Sequence, residues 1–158
     1  MGEGSGHSRD VVERFASALP DGKPRYLMGL GTPEDILHAV GHGVDLFDCV
    51  LPARNARHGL LYTSAGVLRI KNAAYRADER PIDAECGCPA CRRVSRALVH
   101  HLIRSGEITG QVLATLHNVR YFLDLMAYIR QAVESGSLPP AAASNASARK
   151  DVTMAGGG

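Results

Sequence analysis

Three cysteines within six positions constrain this chain more than any other feature of its sequence. Residues 86–93 read CGCPACRR, so Cys86, Cys88 and Cys91 place three sulfur atoms on one tight loop. Zinc binds four ligands in a tetrahedron and accepts thiolate and imidazole donors. The spacing therefore predicts three ligands of a zinc site, and the fourth ligand has to come from elsewhere in the chain.

The fourth ligand has several candidates. His100 and His101 lie within a predicted helix soon after the cysteines, and His117 lies where one predicted helical segment ends and the next begins. A side chain at such a junction can reach back towards the loop, so the spacing favours His117 and leaves the other two histidines open. Cys49 lies on a predicted strand far upstream. A site closed by four protein ligands is structural rather than catalytic.

Two other interpretations of the cysteines are weaker. Cys88 and Cys91 form a C-x-x-C pair, as in thioredoxin-like redox sites, but the third cysteine and the absence of a preceding strand argue against that chemistry. Disulfides need an oxidising compartment. The sequence starts MGEGSGHSRD, which lacks the features of a secretory leader, and it has no apolar run near the ~18 residues of a membrane span. We therefore expect a cytoplasmic protein without stable disulfides.

The order of the predicted elements indicates an α/β fold. A helix over 8–19 precedes a short buried strand in RYLMGLG, a helix capped by Thr32 and started by Pro33, and a second apolar strand that ends at Pro52. Strand, helix and strand in close succession predict a parallel βαβ unit. Two parallel strands cannot bury both faces of a sheet, so we expect the chain to be part of something larger.

The second half of the chain reads differently. Residues 53–59, ARNARHG, predict a basic loop, and LLYTSAGVLRIKN predicts a β-hairpin. Three helical segments follow the cysteines, roughly over 92–106, 107–117 and 118–136. From residue 138 onwards the sequence is of low complexity and predicts a disordered tail.

Asp48 and the basic segment after it are candidates for chemistry. A carboxylate on an apolar strand that is buried on both faces is costly unless it has a partner or a task. Asp48 could be a helix cap or a core-edge residue bonded to backbone, or a nucleophile or base at the carboxyl end of a parallel strand, where α/β barrels carry their chemistry. Arg54 and Arg57 suit contacts with phosphates or bases, although a short charged cluster is commonly just solvated.

These motifs together resemble bacterial tRNA-guanine transglycosylase, a family also called queuine tRNA-ribosyltransferase. The resemblance extends from about Met1 to Gly136, carries the motifs FDCV, ARNAR and CGCPAC, and covers only the C-terminal part of the family's chain. It implies a (β/α)8 TIM barrel with a zinc-binding insertion, incomplete here. It also implies exchange of the wobble guanine of tRNAs for Asp, Asn, His and Tyr for a 7-deazaguanine base, which in bacteria is 7-aminomethyl-7-deazaguanine.

The resemblance also assigns roles to residues. It implies that Asp48 is the nucleophile that forms a covalent intermediate with tRNA. It implies that one structural Zn²⁺ per chain is bound by Cys86, Cys88, Cys91 and His117. The base pocket would include Glu3, Tyr26, Met28 and Gly29. The anticodon loop would be contacted by two segments, which are Gly29, Leu30, Gly31, Thr32, Pro33, Glu34 and Asp35, and Ala53, Arg54, Asn55, Ala56 and Arg57.

Three expectations complete this interpretation. The chain divides into a barrel segment over 1–85, a zinc-binding subdomain with C-terminal helices over 86–137, and the tail over 138–158. A homodimer is implied by the resemblance, and a separate N-terminal half would supply the remaining strands if Met1 is an internal GTG codon read as a start. The alternatives are a non-catalytic, zinc-stabilised RNA-binding fragment and an inactive remnant with exposed apolar strand edges around Leu46 and Val50.

Overall fold

The protein is described here from a computed structural model covering residues 5–138. Its contacts divide these residues into two compact units, one formed by 5–51 with 127–138 and the other by 52–126. Helices and short strands alternate in the order expected of an α/β protein. Among the helices of residues 5–138, none has the length and apolarity needed to cross a membrane.

The first unit contains a parallel βαβ arrangement. Helix α1, Ser5–Phe15, continues into a 3₁₀ turn, Ala16–Ala18, and is followed by β1, Tyr26–Met28, α2, Pro33–Gly41, and β2, Leu46–Asp48. The two strands pair in parallel, with Tyr26 opposite Leu46 and Met28 opposite Asp48. The prediction of a parallel βαβ unit is confirmed.

Local signals fix the start of α2 as the sequence predicts. The Thr32 hydroxyl accepts a hydrogen bond from the Asp35 backbone N–H at 3.1 Å, and Pro33 occupies the first turn. Helix α1 packs on α2, where the Arg9 guanidinium donates to the buried Asp35 carboxylate at 2.9 Å. One apolar cluster of this unit consists of four buried residues, Val12, Ala16, Ala39 and Val44, with three half-buried ones packed against it, Leu27, Leu30 and Phe47.

The strands of this sheet are far more exposed than the sequence predicts. Tyr26, Met28 and Leu46 are 52%, 71% and 52% exposed. The expectations that β1 is a buried strand and that β2 is buried on both faces are therefore wrong for residues 5–138. Their side chains alternate across the sheet, and only the side carrying Leu27 and Phe47 packs on the helices. The expected exposure of Leu46 and Val50 is confirmed.

The second unit contains a hairpin and the helices that pack around it. Helix α3, Leu51–Arg57, precedes the antiparallel strands β3, Leu60–Thr63, and β4, Gly66–Arg69, which confirm the predicted hairpin. A 3₁₀ turn, Ala73–Tyr75, leads to α4, Pro89–Arg93, α5, Arg96–Arg104, and α6, Ile108–Glu134. Its fully buried side chains include Leu61, Ile70, Ile82 and Val99.

Two sequence predictions about this part of the chain are wrong. Residues 53–57, predicted as a loop, belong to α3, which ends where Gly59 adopts a φ of 84° that favours glycine. The predicted break near His117 does not occur, because α6 runs without interruption from Ile108 to Glu134. Asn118, the residue after His117, directs its side chain into the hairpin.

Candidate metal centre and catalytic strand

The three cysteines and His117 converge on one point. The Nδ1 atom of His117 lies 3.3 Å from the Cys91 sulfur and 3.9 Å from the Cys88 sulfur. All four potential ligand atoms, including the Cys86 sulfur, lie within 4.8 Å of one another. Tetrahedral zinc with bonds of about 2.3 Å to sulfur and about 2.1 Å to nitrogen separates these two atom types by about 3.6 Å. The observed distances fall on either side of that value, so the cluster fits zinc.

The loop itself is shaped for sulfur ligands. Cys88 is the N-cap of α4, and its sulfur accepts a hydrogen bond from the Cys91 backbone N–H at 3.3 Å. Pro89 starts the helix, so the turn that brings Cys88 and Cys91 together is fixed by local sequence. Burial raises the pKa of the Cys86 and Cys91 thiols. Zinc binding therefore has to release protons from this loop, because the ligand is the thiolate.

His117 is oriented by a second hydrogen bond. Its Nε2–H donates to the Tyr62 carbonyl oxygen at 2.7 Å, which leaves the Nδ1 lone pair directed at the cysteines. The side chain is fully buried, and this burial lowers the pKa of the imidazole, which keeps it in the neutral form that binds metal. His117 lies in the middle of α6, so the argument that placed it at a helix junction is wrong although the residue is correct.

The other two histidines do not take part in the cluster. The His100 ring is buried and its Nδ1 lies 2.7 Å from the Ile70 carbonyl oxygen, so this side chain has a partner in the hairpin region. His101 is exposed on α5. The structure therefore holds a closed Cys3His zinc site that joins the cysteine loop to α6, as expected for a structural metal.

Asn118 lies next to the metal site and supports it, and this residue was not identified from the sequence. Its side-chain oxygen accepts from the Tyr62 N–H at 3.1 Å, and its amide nitrogen donates to the carbonyl oxygens of Pro52 and Leu60, each at 3.0 Å. It is fully buried. Asn118 thus holds the strand that carries the His117 partner, and only its position next to a metal-ligand candidate could have indicated this role.

Asp48 lies at the carboxyl end of β2 and is exposed to solvent. The Tyr26 hydroxyl on the neighbouring strand donates to Asp48 Oδ2 at 3.2 Å, and the Gly29 N–H donates to the Asp48 carbonyl oxygen at 2.8 Å. Partial desolvation and the nearby Asp48 carboxylate raise the pKa of Tyr26. The carboxylate is therefore neither a helix cap nor a buried core residue, and it remains accessible at the strand end.

The predicted base-pocket residues on β1 lie beside Asp48. Tyr26 and Met28 point to the exposed side of the sheet, and Gly29 follows with a φ of 82°. The structure thus brings three of the four predicted pocket residues together around the carboxylate. Glu3, the fourth, lies outside the described residues.

The predicted RNA-contacting segment 29–35 is only partly available at the surface. Gly29 is exposed and Leu30, Thr32 and Glu34 are half-buried, whereas Gly31, Pro33 and Asp35 are buried. The Asp35 carboxylate is also ion-paired with Arg9. Gly31 packs so closely on Cys49 that an added Cβ would overlap the cysteine side chain. These buried residues shape the turn after β1 and have little surface to offer a ligand.

Within helix α3 the two predicted RNA-contacting arginines are exposed, whereas the other predicted contact residues are buried or half-buried. Arg54 and Arg57 lie three positions apart on one side of the helix and are exposed. Ala56 is fully buried, and Ala53 is half-buried. The Asn55 amide donates to the Tyr62 hydroxyl at 2.7 Å. The helix therefore presents two cations to solvent and uses the residues between them for packing.

Comparison with known proteins agrees with these features. A family model described as Queuine tRNA-ribosyltransferase matches residues 1–151. A queuine tRNA-ribosyltransferase of Nitrosomonas europaea is 54% identical over 136 residues, which cover 86% of this chain and 37% of the relative. One from Thiobacillus denitrificans is 53% identical over 135 residues, or 85% and 37%. One from Ralstonia nicotianae is 55% identical over 127 residues, or 80% and 33%. The chain thus spans about a third of the length of these relatives.

Proposed function

This chain belongs to the queuine tRNA-ribosyltransferase family, and from that premise we propose that it acts in a base exchange on tRNA. The wobble guanine of tRNAs for Asp, Asn, His and Tyr is replaced by a 7-deazaguanine base, with 7-aminomethyl-7-deazaguanine as the bacterial substrate. The observation that carries the proposal is the accessible Asp48 carboxylate at the carboxyl end of β2, next to Tyr26 and Met28 on β1.

Asp48 is the nucleophile of the proposed reaction. Its carboxylate attacks the anomeric carbon of the ribose while the bond to guanine breaks, and the tRNA is held as a covalent aspartyl intermediate. The incoming base then attacks the same carbon and releases the carboxylate. An oxocarbenium-like transition state is stabilised by a carboxylate close to it, as in retaining glycosidases. The wobble base has to leave the anticodon stack to reach Asp48.

The proposed fold context is a (β/α)8 barrel that this chain contributes to. The parallel pairing of β1 and β2 through α2, and the position of Asp48 at a strand end, are the arrangement that such barrels use for catalysis. In this proposal residues 1–85 belong to the barrel, residues 86–137 form the zinc-binding part, and residues 138–158 are a tail. The exposed faces of Met28 and Leu46 would then be covered by neighbouring barrel elements.

Exchange of labelled guanine into a tRNA that bears a wobble guanine tests the proposal. The assay uses the full chain, with and without the N-terminal part of a relative. Asp48→Asn should abolish exchange, and it should also abolish a covalent protein–tRNA adduct that survives denaturation. Asp10→Asn, at an exposed position of α1, is the matched control and should leave exchange unchanged. Exchange that persists in Asp48→Asn would show that another residue is the nucleophile.

Arg54 and Arg57 are the proposed contacts for the anticodon loop. Both are exposed cations on one side of α3, and RNA loops are commonly recognised through phosphates and unstacked bases. Replacing either by alanine should weaken tRNA binding and reduce the slope of log affinity against log salt by about 0.7 for each phosphate that the variant no longer neutralises. Arg14→Ala, at an exposed position of α1, should leave both quantities unchanged. Binding without exchange in every reconstitution would favour the non-catalytic RNA-binding function.

An apolar stripe on α6 supports the proposed homodimer. Five partly exposed residues follow one another at spacings of three or four, which places them on one side of the helix: Ile108, Val112, Leu116, Val119 and Leu123. Contiguous exposed apolar surface of this kind is typical of protein interfaces. Leu123→Lys should shift the mass measured by light scattering towards the monomer. An unchanged mass in that variant would exclude this stripe as the interface.

A further inference from the structure

A second group of metal-binding side chains lies away from the cysteine site. It consists of Glu13 on α1 and of His38 and His42 on α2. The two histidines are four residues apart, so they lie on the same side of the helix, and their ring centroids are 4.5 Å apart. The potential ligand atoms of all three side chains lie within 4.8 Å of one another. Two imidazoles and one carboxylate are a donor set that divalent transition ions accept.

His38 carries a nitrogen atom that no group within residues 5–138 satisfies. The residue is only 7% exposed, and in this part of the chain its buried Nε2 has no hydrogen-bond partner. Glu13 Oε1 lies 3.5 Å away, which is within ion-pair range but does not form a hydrogen bond. A buried polar atom without a partner costs free energy. Because this nitrogen lies close to a carboxylate and a second imidazole, its position indicates a ligand that all three groups could share. A metal ion would satisfy it.

His42 is already oriented as a metal ligand would be. Its Nδ1–H donates to the His38 carbonyl oxygen at 2.8 Å, because a carbonyl oxygen can only accept. This hydrogen bond leaves the lone pair of Nε2 available. Metal-ligating histidines commonly use their second nitrogen in this way, which fixes both the tautomer and the ring orientation.

We propose that Glu13, His38 and His42 form a second metal site, which binds a divalent transition ion of the Zn²⁺ class through two imidazoles and one carboxylate. Two donor atoms that share a tetrahedral zinc ion at about 2.1 Å are about 3.4 Å apart. The donor atoms of the cluster lie within 4.8 Å of one another, so each pair has to approach by at most about 1.4 Å. The Glu13 side chain can supply this movement, because it is 53% exposed and has several rotatable bonds. With three protein ligands, the ion keeps at least one position for water, and it links α1 to α2.

Metal counting on the full chain tests this site. The chain is dialysed against buffered Zn²⁺, and bound zinc is measured by elemental analysis and by competition with a chromophoric chelator. Wild-type protein should bind two zinc ions, the tighter one at the cysteine site. Loss of an outer partner of a ligand already costs about 10- to 100-fold in affinity. Glu13→Gln and His42→Gln should therefore weaken the second site by about 100-fold or more and leave the first unchanged.

Matched variants separate this site from non-specific binding. His101→Ala removes an exposed histidine and Asp10→Asn an exposed carboxylate outside the cluster, and both should retain two zinc ions. Retention of the cysteine-bound zinc and an unchanged circular dichroism spectrum show that each variant is folded. Wild-type protein that stops at one zinc would overturn the proposal. Two zinc ions with unchanged affinity in Glu13→Gln and His42→Gln, or equal losses in the two control variants, would overturn it as well.

Discussion

Removal of His117 is the sharpest test of how the zinc site supports this fold. His117→Ala deletes one of four ligands and also the hydrogen bond from Nε2 to the Tyr62 carbonyl oxygen. Structural zinc sites bind with about 10–16 kcal/mol at neutral pH, so an equal share per ligand is about 2.5–4 kcal/mol. At 1.4 kcal/mol per factor of ten, this share corresponds to about 10²- to 10³-fold in zinc affinity.

The lost hydrogen bond adds to this effect. The variant loses the hydrogen bond from the imidazole to the Tyr62 carbonyl oxygen, at a cost of about 0.5–1.5 kcal/mol. Since zinc-binding energy is also folding energy, the zinc-loaded variant should lose about 3–5.5 kcal/mol of unfolding free energy in total. His117→Cys restores a ligand but not the hydrogen bond, so it should recover zinc affinity more fully than stability.

Chelator competition and urea denaturation measure the two quantities. His101→Ala is the matched control, because His101 is an exposed histidine on α5 that the sequence also offered as a ligand. It should change the unfolding free energy by less than about 0.5 kcal/mol and leave the zinc affinity unchanged. A zinc affinity of His117→Ala within threefold of wild type would refute the assignment of the fourth ligand.

Three further perturbations probe the packing around this site. Asn118→Ala removes three hydrogen bonds, to the Tyr62 N–H and to the carbonyl oxygens of Pro52 and Leu60, and should cost about 1.5–4.5 kcal/mol in urea denaturation. A loss below about 1 kcal/mol would contradict this role of the side chain. Gly110→Ala places a Cβ 2.8 Å from a side-chain carbon of α5 and should cost about 1–3 kcal/mol; a neutral result would mean that the two helices separate freely. Hydrogen bonds from Arg80 and Arg96 hold the pKa of Asp78 well below its usual value. The stability that Asp78 contributes is therefore present above the unfolded-state pKa of about 4 and is lost as the pH falls below it. The urea midpoint should therefore fall less between about pH 7 and about pH 3 in Asp78→Asn than in the wild type. An unchanged pH profile in the variant would contradict this reasoning.

The features that the sequence predicts correctly are local ones. Thr32 and Pro33 start α2 because a hydroxyl cap and a fixed φ act within one turn of the chain. The hairpin follows from alternating apolar residues and a central turn, and the cysteine loop follows from spacing alone. Each of these depends on contacts between residues only a few positions apart.

The features that sequence reasoning missed depend on distant partners. Residues 53–57, predicted as part of a basic loop, belong to α3, which buries Ala56. The predicted break near His117 does not occur in α6, where the next residue, Asn118, has side-chain partners in β3, more than fifty residues away. The exposure of Met28 and Leu46 also depends on what else packs on the sheet, which no local pattern encodes.

The sequence by itself determined three zinc ligands, a βαβ unit and the carboxylate of Asp48 at a strand end. Each of these follows from the pattern of residues within one short stretch of the chain. The tertiary structure decided which histidine completes the metal site. His117 is 26 residues from Cys91 and was chosen among three candidates by the packing of α6 and by the carbonyl oxygen of Tyr62. It also decided that Glu13 meets His38 and His42, since only the packing of α1 on α2 brings these side chains together. A ligand set depends on distances in space, and spacing along the chain fixes those distances only within a single loop or helix turn.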